Sequence, residues 1–337
     1  MDKRIPVTLL TGFLGSGKTT LLNYLLSQPQ MKDSAVIINE LGTTGLDHIL
    51  ATQVDSEQIA DNTVLLSSGC VCCTLKNELA DTMRDLFFKR ALQAIPQFNR
   101  IVIETTGMAD PGPILANLMN EPVIESVFRL DAVVVTIDSE YGLQQLEKHS
   151  EARKQAAVAD VLLLTKTDLA TLQILSDLKE KLIAINPGAT QHKILHGQIE
   201  PDFIIDVGLF DPSGKRAEPQ RWLRMPIGAP IKPSFMLKNQ HNEIASFTVT
   251  LPSPINWRDL KPVILKLCQR HGENLLRLKG IIHAADLDEA IAIHAVHFTP
   301  YPPTELDGWV EDAPTNRIVL IGKGLDEAAI RKMLTQI

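Results

Sequence analysis

Residues Gly12 to Thr19 read G-F-L-G-S-G-K-T, and this octapeptide constrains the fold more than any other stretch. It fits G-x-x-x-x-G-K-[ST], a phosphate cradle that must follow a strand and open a helix. Both neighbours suit. Ile5-Pro6-Val7-Thr8-Leu9-Leu10 is an apolar run that reads as a strand, and Leu21-Leu22-Asn23-Tyr24-Leu25-Leu26 has helical apolar spacing. Gly12, Gly15 and Gly17 let the backbone turn sharply and bring N–H groups to phosphate oxygens without Cβ clashes. The helix points its positive dipole end at the same oxygens. Lys18 supplies a compact cation for the β- and γ-phosphates, and Thr19 a hydroxyl for Mg²⁺. Ser16 and Thr20 complete the nucleotide-binding set.

The chain has 337 residues, 45% hydrophobic and 22% charged, which fits one or two soluble globular domains. Its net charge of −7 argues against nucleic acid as a partner. Lys3-Arg4 ahead of an apolar run resembles a signal peptide, but the run breaks into Gly15-Ser16-Gly17-Lys18 with no small-residue cleavage site. No stretch approaches the ~20 apolar residues of a membrane span. A cytoplasmic protein with no membrane association is expected. Four cysteines, three of them clustered, make no disulfide framework.

Short β-rich runs alternate with helical stretches as far as about residue 200. Strands are expected at 6–11, 35–39, 100–105, 132–138, 161–165 and 192–195. Helices are expected near 18–28, 75–93, 111–119, 141–158 and 172–185. This alternation predicts an α/β P-loop fold, a mostly parallel sheet flanked by helices, with ligands outside the carboxyl ends of the strands. Residues 207–235 hold five prolines and three glycines and read as a linker. From 236 to 337 strands at 247–251, 277–284, 290–298 and 317–322 outnumber helices at 256–270 and after Gly324. A smaller C-terminal α+β domain is expected there, with the P-loop domain at 1–206.

Three further sites carry chemistry. Glu104 ends the strand Ile101-Val102-Ile103 and precedes Thr105-Thr106-Gly107. Beside a P-loop strand, such an acid supports Mg²⁺ and helps orient the attacking water. Thr165-Lys166-Thr167-Asp168 follows the strand Val161-Leu162-Leu163-Leu164 and matches the guanine-reading [NT]-K-x-D pattern. An Asp carboxylate accepts from both guanine N1–H and the exocyclic amine, an arrangement adenine does not offer. The bland counterparts are a surface acid after a buried strand and an ordinary turn Asp.

Cys70-Val71-Cys72-Cys73 places three thiols within four residues, before a predicted helix capped by Thr74. A helix N-terminus favours thiolate, the form that binds metal. Soft thiolates suit Zn²⁺, Co²⁺, Ni²⁺ or Cu⁺. A redox pair and three inert buried cysteines are the rival readings. Asn39-Glu40-Leu41-Gly42-Thr43-Thr44-Gly45-Leu46-Asp47 suits a loop that closes over a γ-phosphate. Within it, Glu40 and Asp47 are acids with either a metal or a switch role, and a polar surface loop is the rival reading. The nine histidines are scattered and read as ordinary solvated or hydrogen-bonded side chains. Cys268 reads as core.

The ordered set GFLGSGKTT, Asn39-Glu40-Leu41-Gly42, Gly69-Cys70-Val71-Cys72-Cys73, Glu104-Thr105-Thr106-Gly107-Met108-Ala109-Asp110-Pro111 and Thr165-Lys166-Thr167-Asp168 resembles the CobW-type metallochaperone GTPases. Arg277-Leu278-Lys279-Gly280 is similar to a common element of that family's C-terminal domain. The resemblance implies a GTPase, with GTP/GDP and Mg²⁺ at the P-loop, and slow intrinsic turnover is expected because no side chain is an obvious strong general base. It also implies a transition metal, zinc or cobalt, at Cys70, Cys72 and Cys73, delivered to a client metalloprotein. A homo-oligomer is compatible with it. A nucleotide-dependent interaction switch with structural cysteines, and a P-loop kinase for a small metabolite, are the alternatives.

Overall fold

The computed structural model describes residues 4–39, 64–68, 78–205, 207, 244–306 and 315–337. Its contacts divide the chain into two compact units, Met1–Lys179 with Gln191–Gly208 and Glu180–Thr190 with Leu209–Ile337. Of the stretch read as a linker, Val207 alone is among the described residues.

The first sheet has seven strands: β1 (Ile5–Gly12), β2 (Ser34–Asn39), β3 (Val64–Ser68), β4 (Arg100–Thr105), β5 (Phe128–Asp138), β6 (Val161–Thr165) and β7 (Thr190–Lys193). They lie in the order β3-β2-β4-β1-β5-β6-β7. The pairs from β3 to β6 are all parallel. Helices α1 (Lys18–Leu26), α2 (Glu78–Ala91), α3 (Pro111–Asn120), α4 (Pro122–Val127), α5 (Gly142–Lys148), α6 (Ser150–Val158) and α7 (Leu172–Ile185) connect them.

The central strands β1, β4, β5 and β6 are buried along nearly their whole length. Their near-continuous apolar runs are what a parallel sheet covered on both faces requires. Leu10, Val36, Val102 and Val134 pack with Leu21, Leu22 and Leu25 of α1 in one cluster. Because side chains alternate along a strand, Glu104 shares the face of Val102 and stands on the α1 side. From β1 the chain passes to β2, beyond β4, and from β4 it returns to β5, beyond β1. The strand order therefore reverses at β1 and β4, the position where open α/β sheets bind ligands.

Several elements depart from the sequence reading: α4 and two short strands at Thr299–Pro300 and Thr304–Glu305 were not expected, and two further differences bear on the site. Leu65-Leu66-Ser67-Ser68 belongs to β3, paired in register with β2 from Ala35↔Val64 to Asn39↔Ser68, where no strand was expected. Five residues ending in two serines are too short and too polar to stand out as a strand. The helix expected over 141–158 is two helices, because His149 is extended (φ −115°, ψ 123°) and ends α5 as α6 begins. No Pro or Gly marks that break. His149 instead stacks on Phe13 of the P-loop, ring centroids 4.5 Å apart.

The second unit holds an antiparallel sheet of β8 (Ile244–Thr250), β9 (Leu275–Ile282), β10 (Ile291–Val296), β11 (Thr299–Pro300), β12 (Thr304–Glu305) and β13 (Arg317–Lys323). Its order is β11-β10-β9-β13-β8, with β12 on β10. Helices α8 (Trp257–His271) and α9 (Glu327–Thr335) accompany it. α8 buries Leu260, Ile264, Leu267 and Cys268, a single helical stripe, against Leu278, Ile293, Leu320 and Ile330. Burial pushes the Cys268 thiol up to about 12, so this cysteine is an inert core residue.

Candidate functional site

The loop after β1 is shaped by backbone geometry before any side chain contributes. Gly12 sits at φ 147°, where an added Cβ would meet Thr136 Oγ1, the Thr136 carbonyl and Ser16 Oγ. Gly17, at φ 90°, is the left-handed residue that opens α1. The ends of β5 and β6 hold the cradle. Ser16 Oγ lies 2.7 Å from Thr136 Oγ1, and Thr165 Oγ1 donates to the Ser16 carbonyl at 2.8 Å. Gly15 is exposed at φ 71°, and Thr20 is exposed on the first turn of α1.

Lys18 is buried, and its Nζ donates to the carbonyls of Gly12 (2.9 Å) and Phe13 (3.2 Å). The ammonium is thus held over the loop itself. Thr19 Oγ1 donates to Glu104 Oε1 at 3.0 Å, and Glu104 is 5% exposed. β4 does lie beside β1, with Leu10 opposite Glu104. Thr105 Oγ1 donates to Thr11 Oγ1 at 2.7 Å and ties the two strand ends together. A hydroxyl and a carboxylate oxygen at this separation form the hard oxygen donor set that Mg²⁺ prefers.

The segment Thr165 to Asp168 leaves β6 next to this cradle. Lys166 takes φ 51°, and its Nζ reaches Asp138 Oδ2 at 2.6 Å. The buried Asp138 also accepts from the backbone N–H groups of Glu140 (2.8 Å) and Tyr141 (3.1 Å). Asp168 is exposed. The neighbouring Glu140 carboxylate raises the Tyr141 phenol above its ordinary value, so Tyr141 stays neutral at physiological pH.

The residues after Glu104 are tied down from α6. Gln155 Nε2 donates to the carbonyls of Gly107 (3.3 Å) and Ala109 (3.0 Å). Lys154 Nζ pairs with Asp110 Oδ2 at 2.5 Å, while Asp110 Oδ1 caps α3 through the Gly112 N–H.

Glu40, Cys70, Cys72 and Cys73 lie outside the described residues. Among the described residues, no group of three or more His, Cys, Asp or Glu could hold a metal ion. His192 packs against Phe203, His294 against Tyr301, and His297 Nδ1 bonds the Gly272 carbonyl. Also among the described residues, no helix is long and apolar enough to cross a membrane.

The structure brings Lys18, Thr19, Glu104 and Thr165 together, alongside Thr136, Asp138 and Gln155, which the sequence reading did not single out. Asp138 carried a faint signal as an acid between a strand end and Ser139-Glu140, an Asx-turn pattern. Thr136, inside a strand, and Gln155, inside a helix, carried none.

Residues 6–193 match the family model described as CobW/HypB/UreG, nucleotide-binding domain, and residues 244–337 match the cobalamin synthesis protein cobW C-terminal domain. The chain is 34% identical over 333 residues to the zinc chaperone YjiA of Escherichia coli, covering 97% of this chain and 96% of the relative. It is 35% identical over 198 residues to the zinc-regulated GTPase metalloprotein activator 1 of Schizosaccharomyces pombe, covering 58% of this chain and 47% of that one. A crystal structure of Zn(II)-bound YjiA GTPase from E. coli superposes with a TM-score of 0.73 at 30% identity, covering 99% of this chain and 98% of that one. A Zn(II)-bound triple mutant of the same GTPase, with one glutamate and two cysteines replaced by alanine, gives 0.72 at 28% identity, covering 99% and 100%.

Proposed function

This chain belongs to the CobW family of P-loop GTPases, and from that premise we propose that it is a metallochaperone. Its GTP cycle governs a zinc-type ion at Cys70, Cys72 and Cys73, with Glu40 as a further ligand, and the delivery of that ion to a client metalloprotein. One observation carries the nucleotide half of this reading. Thr165 begins the Thr-Lys-Thr-Asp segment and also donates to the Ser16 carbonyl of the P-loop, so the base-reading segment and the phosphate cradle are one assembly. The metal half rests on thiol chemistry and on the relatives named zinc chaperones.

In this reading the N–H groups of Gly15 to Thr19 and the Lys18 ammonium bind the β- and γ-phosphates. Ser16 and Thr20 add to that cradle, while Asp168 reads guanine. Thr19 and Glu104 would hold Mg²⁺, which neutralises developing phosphate charge when bound. Glu104 also orients the attacking water. A carboxylate in that role is a weak base at neutral pH, so slow intrinsic turnover follows. GTP would favour tight metal binding at the thiolates, and hydrolysis would loosen it. Zinc and GTP would then raise each other's affinity by the same factor. Co²⁺ is the second ion of choice for the same donors.

Zinc content alone is a poor test, since the triple-mutant relative lacking two cysteines is Zn(II)-bound. The informative experiment titrates Zn²⁺ into the protein carrying a non-hydrolysable GTP analogue or GDP, in wild type and in Cys72→Ala/Cys73→Ala. Tighter zinc binding with the GTP analogue, lost in the variant, supports the reading. Equal affinity in both nucleotide states overturns it. A nucleotide switch with structural cysteines would instead keep client binding in Cys72→Ala. A small-molecule kinase would prefer ATP.

A further inference from the structure

The loop 106–110 is gripped from both sides. On one side it abuts the P-loop: a Cβ on Gly107 would fall 2.6 Å from the Leu14 nitrogen and 2.7 Å from Leu14 Cα. On the other side stands α6, with Gln155 on two of the loop's carbonyls and Lys154 on Asp110. The first residue before α6, His149, is itself stacked on Phe13. This short helix and the residue just before it therefore touch both the phosphate cradle and the segment that follows Glu104.

Gln155 is fully buried, and its Oε1 has no hydrogen-bond partner among the described residues. A buried carboxamide with an empty acceptor is costly. An apolar side chain of the same size would fill the space without that cost. What the carboxamide provides is a pair of donors aimed at Gly107 and Ala109, which fixes how two peptide planes of the loop are turned. The loop's own turn, Ala109 N–H to the Thr106 carbonyl at 3.1 Å, is closed inside this grip. The buried Oε1 also offers an acceptor to any loop N–H that turns toward α6.

We propose that Gln155, assisted by Lys154, is a positioning residue for the GTPase reaction: it sets the orientation of the Gly107–Asp110 loop against the P-loop, so that the loop responds to a third phosphate. This rests on the GTPase reading above. GDP, lacking that phosphate, makes no demand on the loop. Loss of the grip should therefore weaken the triphosphate state selectively.

The test uses the full chain. Gln155→Met keeps size and removes both donors, and Lys154→Met cuts the half-exposed tie to Asp110. Affinities for GDP and a non-hydrolysable GTP analogue, and single-turnover GTP hydrolysis, are measured beside thermal melting. The expected result is GDP affinity within about twofold of wild type in both variants. The analogue's affinity and the hydrolysis rate should fall about tenfold in Gln155→Met, the scale of one or two hydrogen bonds, and less in Lys154→Met. An unchanged analogue-to-GDP ratio in both variants overturns the proposal. So does an equal loss of both nucleotides in Gln155→Met with Lys154→Met silent, the signature of a merely structural side chain. If wild type binds no guanine nucleotide, the GTPase reading itself fails, a separate and recognisable outcome.

Discussion

The Thr19 hydroxyl and the Glu104 carboxylate, 85 residues apart in the chain, meet at 3.0 Å. The meeting follows from topology. Thr19 stands on the first turn of α1, and Glu104 lies two residues past Val102 on the strand face that α1 covers. The parallel register of β1 and β4 brings them level.

Removing the charge but not the volume of this pair should separate binding from chemistry. Glu104→Gln is expected to lower single-turnover GTP hydrolysis by about a hundredfold, the usual scale for one electrostatic contact to a transition state. GDP affinity should change little. Phosphate release followed over a Mg²⁺ titration checks this, with a higher half-saturating concentration in the variant.

Base selectivity should rest on Asp168. A carboxylate accepting two donors contributes about 1.5–3 kcal/mol per charged hydrogen bond. Asp168→Ala should therefore cut the preference for GTP over ATP by at least about a hundredfold. Competition of GTP and ATP for a fluorescent GDP analogue measures it, and an unaltered ratio would place base recognition elsewhere.

At Gly12 a methyl group has nowhere to go. Its neighbours include the Thr136 carbonyl and Ser16 Oγ, part of the structure that holds the cradle closed. Gly12→Ala should cost about 1–3 kcal/mol of stability by overpacking and abolish measurable nucleotide binding. Denaturant midpoints and nucleotide titration read the two effects separately.

The second unit offers a pH-dependent test. Asp286 accepts from the Trp257 and Arg258 N–H groups at the start of α8. Those donors, the Trp257 N–H first, hold its carboxyl below the usual range. A depressed carboxyl stabilises the fold above its unfolded value of about 3.9, and that stabilisation is lost as pH falls through the folded value. Asp286→Ala should thus melt lower than wild type at pH 7, and the difference should narrow below about pH 4.

The parallel core was legible because strands buried on both faces must be written as apolar runs, as in Val161-Leu162-Leu163-Leu164. The P-loop was legible because close backbone approach at Gly12 admits one residue type. Neither signal exists for β3, a short edge strand, or for the break at His149. That break is accompanied by a ring contact to Phe13, 136 positions earlier in the numbering, and no local residue marks it. Gln155 was hidden for a related reason: its role is defined by two carbonyls, and any loop offers carbonyls.

Asp138 divides its carboxylate between a turn on its own strand and the Lys166 ammonium. The four residues that define the Thr-Lys-Thr-Asp signature therefore do not constitute a portable module. Grafting them onto another P-loop scaffold without an acid at the end of the neighbouring strand would import the letters and leave the lysine unanchored. An engineer would have to move the fifth residue as well.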